Sequence, residues 1–372
     1  MPWFKRAHCC AALAAVIAFS VVPCCASAPD ISAQAFVLMD AESGRVLLSR
    51  GETVELPIAS TTKIMTAIVA LEQCRMDELV TVKREQLREG SSMYLYEGER
   101  LSLEELLYGL MLSSGNDAAE CIAGSLGGRE DFVRAMNRKA FELGITHTAF
   151  TNPSGLDEKG HYSCALDMAM LMSYAMEQPA FARIVSTKTA CAGERTLYNH
   201  NKLLGSLDGC TGGKTGYTGE AGRTLVTYAE RDGLRLVAVT LHDGNDWQDH
   251  AALYEYGFST FKRVNVLQRG SSCALAAVRG GNACCVELQP LKNVCIPLCE
   301  GEKPELHIDA QFVADAPVRK GQTLGYAIIS VNGVELARTA LYAACEVNAV
   351  GEVNDASEPG LWNRIAEWFS MP

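Results

Sequence analysis

The amino-acid sequence predicts an α+β fold: an antiparallel sheet split by a helical insertion, then a small all-β domain, then a C-terminal amphipathic helix. Three observations carry this. Strand-like runs at both ends of the first 260 residues bracket a stretch whose apolar residues recur at helical spacing. Beyond Gln268 the apolar runs shorten and alternate with turn dipeptides. Near the C-terminus, Leu361, Trp362, Ile365, Trp368 and Phe369 fall on one helical face.

At the N-terminus, Lys5 and Arg6 precede an apolar stretch at 11–22 and the small-residue site Ala26-Ser27-Ala28. Residues 1–28 read as a secretory signal peptide whose apolar part is too short to span a bilayer; the mature chain is expected to start near Pro29. Apolar runs at 35–40 and 45–49 flank Glu42-Ser43-Gly44, a β-hairpin. Helical stripes follow: Ile64, Ala67, Ile68 and Leu71; Leu103, Leu106, Leu107, Leu110 and Met111; Phe132, Val133, Met136, Ala140 and Leu143; Leu166, Ala169, Met172 and Met176. Their regularity marks core faces.

Strand-like runs at 223–229 and 234–241 flank Glu230-Arg231-Asp232-Gly233 as a second hairpin, and 247–261 closes the region as an amphipathic helix. The two hairpins are expected to share one sheet with helices on its faces, in a domain at 29–265. Runs at 274–278, 283–288, 294–298, 323–329 and 334–339, punctuated by Gly280-Gly281 and Asn332-Gly333, define a β-rich domain at 266–345. A polar, acidic linker at 346–360 leads to the helix at 361–372. That helix reads as a membrane-surface anchor, because the linker detaches it from any core, the alternative being that it docks on the protein itself. Its polar face sets Arg364 against Glu367, so anionic lipid adds little attraction.

Composition narrows the function classes. With 48% hydrophobic and 21% charged residues, the chain is globular rather than disordered. Its formal charge of −11, or −13 once Lys5 and Arg6 are removed, argues against a nucleic-acid partner. Four of the 15 cysteines lie in the signal peptide. The remaining odd number cannot all pair within one chain. Cys74, Cys121 and Cys164 sit in helix-like apolar patterns, where cysteine behaves as a small hydrophobe. Mostly free thiols are expected. Cys284-Cys285 with Cys295 and Cys299 lacks a histidine at zinc-like spacing, so no metal and no cofactor are implied.

Three short elements bear chemistry. In Ser60-Thr61-Thr62-Lys63, a three-residue spacing at a helix start puts hydroxyl and amine on one face. Serine needs a base within hydrogen-bond reach, and positive potential at the helix N-terminus favours a neutral Lys63. The bland alternative is an N-cap and a solvated lysine; Ser259-Thr260-Phe261-Lys262 repeats the pattern without support. In Ser114-Gly115-Asn116, between two helices, a hydroxyl can relay a proton and a carboxamide can orient a peptide. Asp117 and Glu120 after it resemble a capping box, and Ser330-Val331-Asn332 is a chance second match. Lys214-Thr215-Gly216 is unique in the chain. A phosphate loop would need glycine where Asp208 stands, and a strand-to-helix context. An edge strand fits better, its glycines letting a substrate backbone lie close while Lys214 supplies a fixed charge for a carboxylate.

Together, in this order, the three elements resemble the penicillin-recognising serine acyl-transferases. Within that superfamily the chain is similar to the D-alanyl-D-alanine carboxypeptidases, the low-molecular-weight penicillin-binding proteins. The likeness extends to Gly90-Ser91-Ser92-Met93, Asn152-Pro153-Ser154-Gly155-Leu156, His161, and Tyr217-Thr218 with Ala221-Gly222. It is fainter at Pro317-Val318-Arg319-Lys320-Gly321-Gln322 in the β domain. The resemblance implies a β-lactamase/transpeptidase-like domain. Ser60 would be its nucleophile, Lys63 its base and Ser114 its proton relay. Asn116, Lys214, Thr215, Gly216 and Tyr217 would bind substrate, the last through a backbone oxyanion donor shared with Ser60.

The implied substrate is the peptidoglycan stem pentapeptide, with β-lactam antibiotics as inhibitors and an extracytoplasmic location on the outer face of the cytoplasmic membrane. Alternatives are a cell-wall endopeptidase, a β-lactamase (though Gly115 stands where class A enzymes carry Asp), and a non-catalytic wall-binding or antibiotic-sensing module. Ser163-Cys164-Ala165-Leu166 and Arg223 depart from the family pattern. Neither is expected to touch the chemistry, and both leave substrate preference open.

Overall fold

The computed structural model describes residues 27–350. The signal peptide except Ser27 and Ala28, the acidic linker beyond residue 350, and the 361–372 helix lie outside the described residues.

Five strands form one antiparallel sheet: β1 (Ala35–Asp40), β2 (Val46–Arg50), β3 (Cys210–Thr218), β4 (Gly222–Arg231) and β5 (Leu234–Leu241). Their order is β2-β1-β5-β4-β3. The two expected hairpins join where β1 pairs with β5, Val37 opposite Val239. Strand β3, which carries Lys214, forms the expected edge.

Seven helices of eight or more residues, among the described residues, pack around this sheet: α1 (Lys63–Gln73), α2 (Leu103–Leu112), α3 (Asn116–Ser125), α4 (Arg129–Glu142), α5 (Ala165–Met176), α6 (Pro179–Ser186) and α7 (Asp246–Thr260). Strand β1 is buried along its whole length because both faces are covered. Val37 and Met39 join the core of the helical insertion. Phe36 and Leu38 face the other way, against Leu253 and Tyr254 of α7. Helix α2 buries Leu103, Leu106, Leu107, Leu110 and Leu112 at the centre of the insertion. Its start is fixed by a capping box: Ser102 Oγ accepts from the Glu105 N–H, and Glu105 accepts from the Ser102 N–H at 2.8 Å.

Asp117 corrects the sequence reading. It does not cap α3, which begins one residue earlier at Asn116. Its buried carboxylate instead accepts from Ser92 Oγ at 2.6 Å and from the N–H groups of Met93 and Leu95, each at 3.1 Å. Those donors outweigh a single capping contact and tie the 90–96 loop to the helix.

The second domain is all-β. Its strands are β6 (Phe261–Leu267), β7 (Ala274–Arg279), β8 (Cys285–Pro290), β9 (Val294–Cys299), β10 (Glu305–Ala310), β11 (Val313–Asp315), β12 (Thr323–Val331) and β13 (Val334–Ala343). Six of them form a sheet in the order β10-β12-β13-β8-β7-β11; β6 and β9 pair separately. The five apolar runs read from sequence fall on β7, β8, β9, β12 and β13. Where the two domains meet, Arg45 donates to the Pro297 carbonyl at 2.6 Å and to Glu302 at 2.9 Å.

Candidate active site

Ser60 sits in a single 3-10 turn, Ala59–Thr62, that runs directly into α1. Ala59 has φ of 48°, a left-handed conformation that alanine rarely adopts. The turn presents Ser60 toward a cleft of about 490 Å³, whose wall also includes Ser91, Ser114, Thr215, Gly216 and Tyr217.

Lys63 is fully buried. Its Nζ lies 2.9 Å from Ser60 Oγ, 2.9 Å from Asn116 Oδ1 and 2.6 Å from the Ser154 carbonyl. Two of these three partners can only accept. The Asn116 oxygen is identified by its amide nitrogen, which donates to the Glu89 carbonyl at 2.9 Å. A neutral amine has two N–H groups and one lone pair. In the uncharged form the N–H groups go to Asn116 and Ser154 and the lone pair faces the Ser60 hydroxyl; in the charged form the third N–H donates to Ser60 Oγ. Burial, followed by the nearby Lys214 charge, pushes Lys63 well below the usual lysine range, against an opposing pull from Asp117. Desolvation therefore takes the leading role that the sequence reading gave to the helix terminus.

On the facing wall, Ser114 stands between α2 and α3 with φ of 59°. Lys214 Nζ donates to Ser114 Oγ at 3.0 Å and to the Thr215 carbonyl at 2.8 Å. Lys214 is 1% exposed, and burial lowers it to about 7. The fixed charge expected there is thus a titrating one. Gly216 lies flat against the nucleophile turn: a Cβ would stand 3.0 Å from the Ser60 nitrogen and 2.3 Å from Thr224 Oγ1. Only glycine lets β3 approach this closely.

All eight sequence-derived site residues converge on this one region. Asn116 is the least substrate-like of them, since both ends of its amide are engaged within the protein. Sequence reasoning assigned no role to Ser154, whose contribution is a backbone carbonyl, or to Ser91 and His161, although all three fall in segments that carried the resemblance. Arg223, which departs from the family pattern, is near the site. It lines the same cleft as Ser60, beside Trp247, because Asp246 holds its guanidinium with bonds of 2.6 and 2.9 Å. Nothing local in the sequence placed α7 next to Arg223 on β4. Among the described residues, no cluster of three or more His, Cys, Asp or Glu is arranged to hold a metal ion.

A buried amine with a lowered pKa on a serine hydroxyl, facing a second lysine–serine pair across a cleft, is an arrangement that can support serine acyl transfer with a lysine base. The comparisons make this particular: the chain belongs to the D-alanyl-D-alanine carboxypeptidase family, whose sequence profile matches residues 23–245. The profile of the penicillin-binding protein 5 C-terminal domain matches residues 261–349. The D-alanyl-D-alanine carboxypeptidase DacF of Bacillus subtilis is 31% identical over 339 residues, covering 86% of this chain and 87% of that protein. DacB2 of Mycobacterium tuberculosis is 37% identical over 251 residues, covering 64% of this chain and 86% of the relative. The crystal structure of penicillin-binding protein 5 from Haemophilus influenzae superposes with a TM-score of 0.77 at 28% identity, covering 86% of this chain and 98% of that one.

Proposed function

We propose that this protein is a serine-type D-alanyl-D-alanine carboxypeptidase that removes the terminal D-alanine from peptidoglycan stem pentapeptides through an acyl-enzyme on Ser60. The observation that carries the reading is the buried contact of Lys63 Nζ with Ser60 Oγ at 2.9 Å, its other two partners being acceptors that would leave an uncharged amine's lone pair toward Ser60. Ser60 Oγ attacks the carbonyl carbon between the two D-alanines as its proton passes to Lys63 Nζ. The oxyanion rests on the backbone N–H groups of Ser60 and Tyr217, donors that typically matter by about 3–4 kcal/mol each. The C–N bond then breaks as Ser114, bonded to Lys214, relays the proton taken up by Lys63 to the leaving amine, which leaves Lys63 uncharged again. Lys214 and Thr215 receive the free carboxylate, which is what makes the enzyme an exopeptidase. Water, deprotonated in turn by Lys63, releases the shortened peptide.

Membership of a penicillin-binding family supports β-lactams as inhibitors that acylate the same serine. A substrate in the wall also supports an extracytoplasmic location, with residues 1–28 as export signal and 361–372 as a peripheral membrane anchor. No helix among the described residues is long and apolar enough to cross a membrane.

The test is mass spectrometry after benzylpenicillin exposure, paired with D-alanine release from a pentapeptide. A covalent adduct on the Ser60 peptide and release of one D-alanine are expected. An intact pentapeptide and an unmodified Ser60 peptide would refute the reading.

A further inference from the structure

The loop between α4 and α5 braces the nucleophile turn from behind. Gly155 comes so close that a Cβ there would stand 1.8 Å from the Ala59 carbonyl oxygen and 2.8 Å from Thr62 Oγ1. His161, on the same loop, is buried with its ring edge-on to Phe150. Desolvation lowers it to about 4; Arg129 pushes the same way, while Glu158 and Asp157 oppose. The imidazole is therefore neutral at physiological pH.

Its tautomer is dictated by its neighbours. The Thr151 N–H, which can only donate, reaches Nδ1 at 3.1 Å, so Nδ1 carries the lone pair and Nε2 the proton. Nε2 lies 2.8 Å from Thr62 Oγ1. The Thr62 hydroxyl accepts that proton and spends its own on the Ala59 carbonyl at 2.8 Å. Every hydrogen in the relay has one direction, from Thr151 through His161 and Thr62 to Ala59.

The Ala59 carbonyl and the Ser60 N–H are opposite ends of one planar peptide group. Fixing the oxygen therefore fixes where the N–H points. Ala59 needs such help, because its positive φ costs alanine roughly 1 kcal/mol or more. We propose that His161 is a positioning residue: acting through Thr62, it holds the Ala59–Ser60 peptide plane so that the Ser60 N–H is aimed at the developing oxyanion. The inference rests on the reading of Ser60 as nucleophile. It adds a residue that touches neither substrate nor the reacting atoms.

The effect belongs to the transition state, so it should appear in the acylation rate and kcat, leaving KM nearly alone. The experiment compares wild type, His161→Leu, His161→Gln, Thr62→Val and the double variant H161L/T62V. Readouts are single-turnover acylation by benzylpenicillin, steady-state D-alanine release and Tm. Each of H161L and T62V should slow acylation about 10–100-fold, with KM within about 3-fold. The double variant should be no slower than the worse single one, because both remove the same relay. H161Q, whose amide can still donate to Thr62, should recover most of the loss.

A wild-type rate in H161L, a loss confined to KM, or single losses that multiply in the double variant would overturn the proposal. If H161L fails to fold, the near-isosteric T62V and the H161Q variant still decide it. Absence of an adduct on wild-type Ser60 would remove the functional reading itself, and shows before any variant is compared.

Discussion

Lys63 and Lys214 lie on opposite walls of one cleft, the first where a 3-10 turn enters α1, the second on the edge strand β3. Both are buried almost completely, and burial lowers both. Their surroundings differ. Lys63 meets a side-chain amide oxygen and a backbone carbonyl, which in its uncharged form take its two N–H groups and leave a lone pair for Ser60. Lys214 meets the Ser114 hydroxyl and the Thr215 carbonyl, at an edge where a substrate carboxylate can arrive. On the proposed mechanism the same residue type serves as a base on the wall packed by the helical insertion and as a recruitable cation on the wall made by an open strand. Desolvation alone does not distinguish them; Lys63 is lowered further by the Lys214 charge, whereas burial is the cause at Lys214.

The largest break in this comparison should come from Lys63. Replacing it with alanine or arginine is expected to cut acylation by about 10³–10⁴-fold, because alanine offers no base and arginine cannot give up its proton. Retained acylation in Lys63→Arg, measured by adduct formation with benzylpenicillin, would contradict a neutral base. Changing Lys214 should act chiefly on binding. Lys214→Gln is expected to lower kcat/KM by about 100-fold, mostly through KM, for peptides with a free C-terminal carboxylate.

The pH profile sharpens the same contrast. Lys214, lowered to about 7, is charged below that value and loses its charge above it. In the free enzyme, kcat/KM for a free carboxylate should therefore decline as pH rises through about 7. Lys214→Arg should flatten that decline. An alkaline limb that persists unchanged in the arginine variant would show that Lys214 is not its source.

Smaller effects are expected away from the lysines. Gly155→Ala would set a methyl group against the Ala59 carbonyl and should destabilise the fold by about 2–3 kcal/mol while slowing acylation, read by Tm and adduct formation together. At the domain boundary, Arg45 and a backbone bond from Cys299 hold Glu302 at about 2, despite burial. A depressed carboxyl contributes stability above its unfolded value of about 4.3, and that contribution fades as pH falls toward 2. Arg45→Ala should lower Tm near neutrality by the equivalent of about 1 kcal/mol, flatten the acid side of the Tm profile and leave D-alanine release unchanged.

Much of this molecule is legible in its sequence, and the residues show why. Strands β1, β4 and β5 and helices α1, α2, α4 and α5 announce themselves because long apolar runs or stripes need no partner to be recognised. Ser60, Lys63, Ser114 and Lys214 were found by their order along the chain. The illegible parts are those defined by space. The Ser154 carbonyl that orients Lys63 has no side-chain signature. Arg223 looked unrelated to the chemistry until α7 brought Asp246 and Trp247 alongside it. Asp117 resembled a cap because the loop donors that claim its carboxylate are some two dozen positions away. Strands β10 and β11 are short and partly polar, so their pairing is set by neighbours rather than by pattern.

The central claim is that Lys63 is uncharged when the enzyme meets its substrate. Its most direct test is an NMR titration of lysine side chains in protein labelled at Cε, with the Lys63 resonance identified by its loss in Lys63→Arg. The account predicts a Lys63 inflection well below the ordinary lysine value near 10.4. An inflection close to that ordinary value, with the folded state intact, would contradict it.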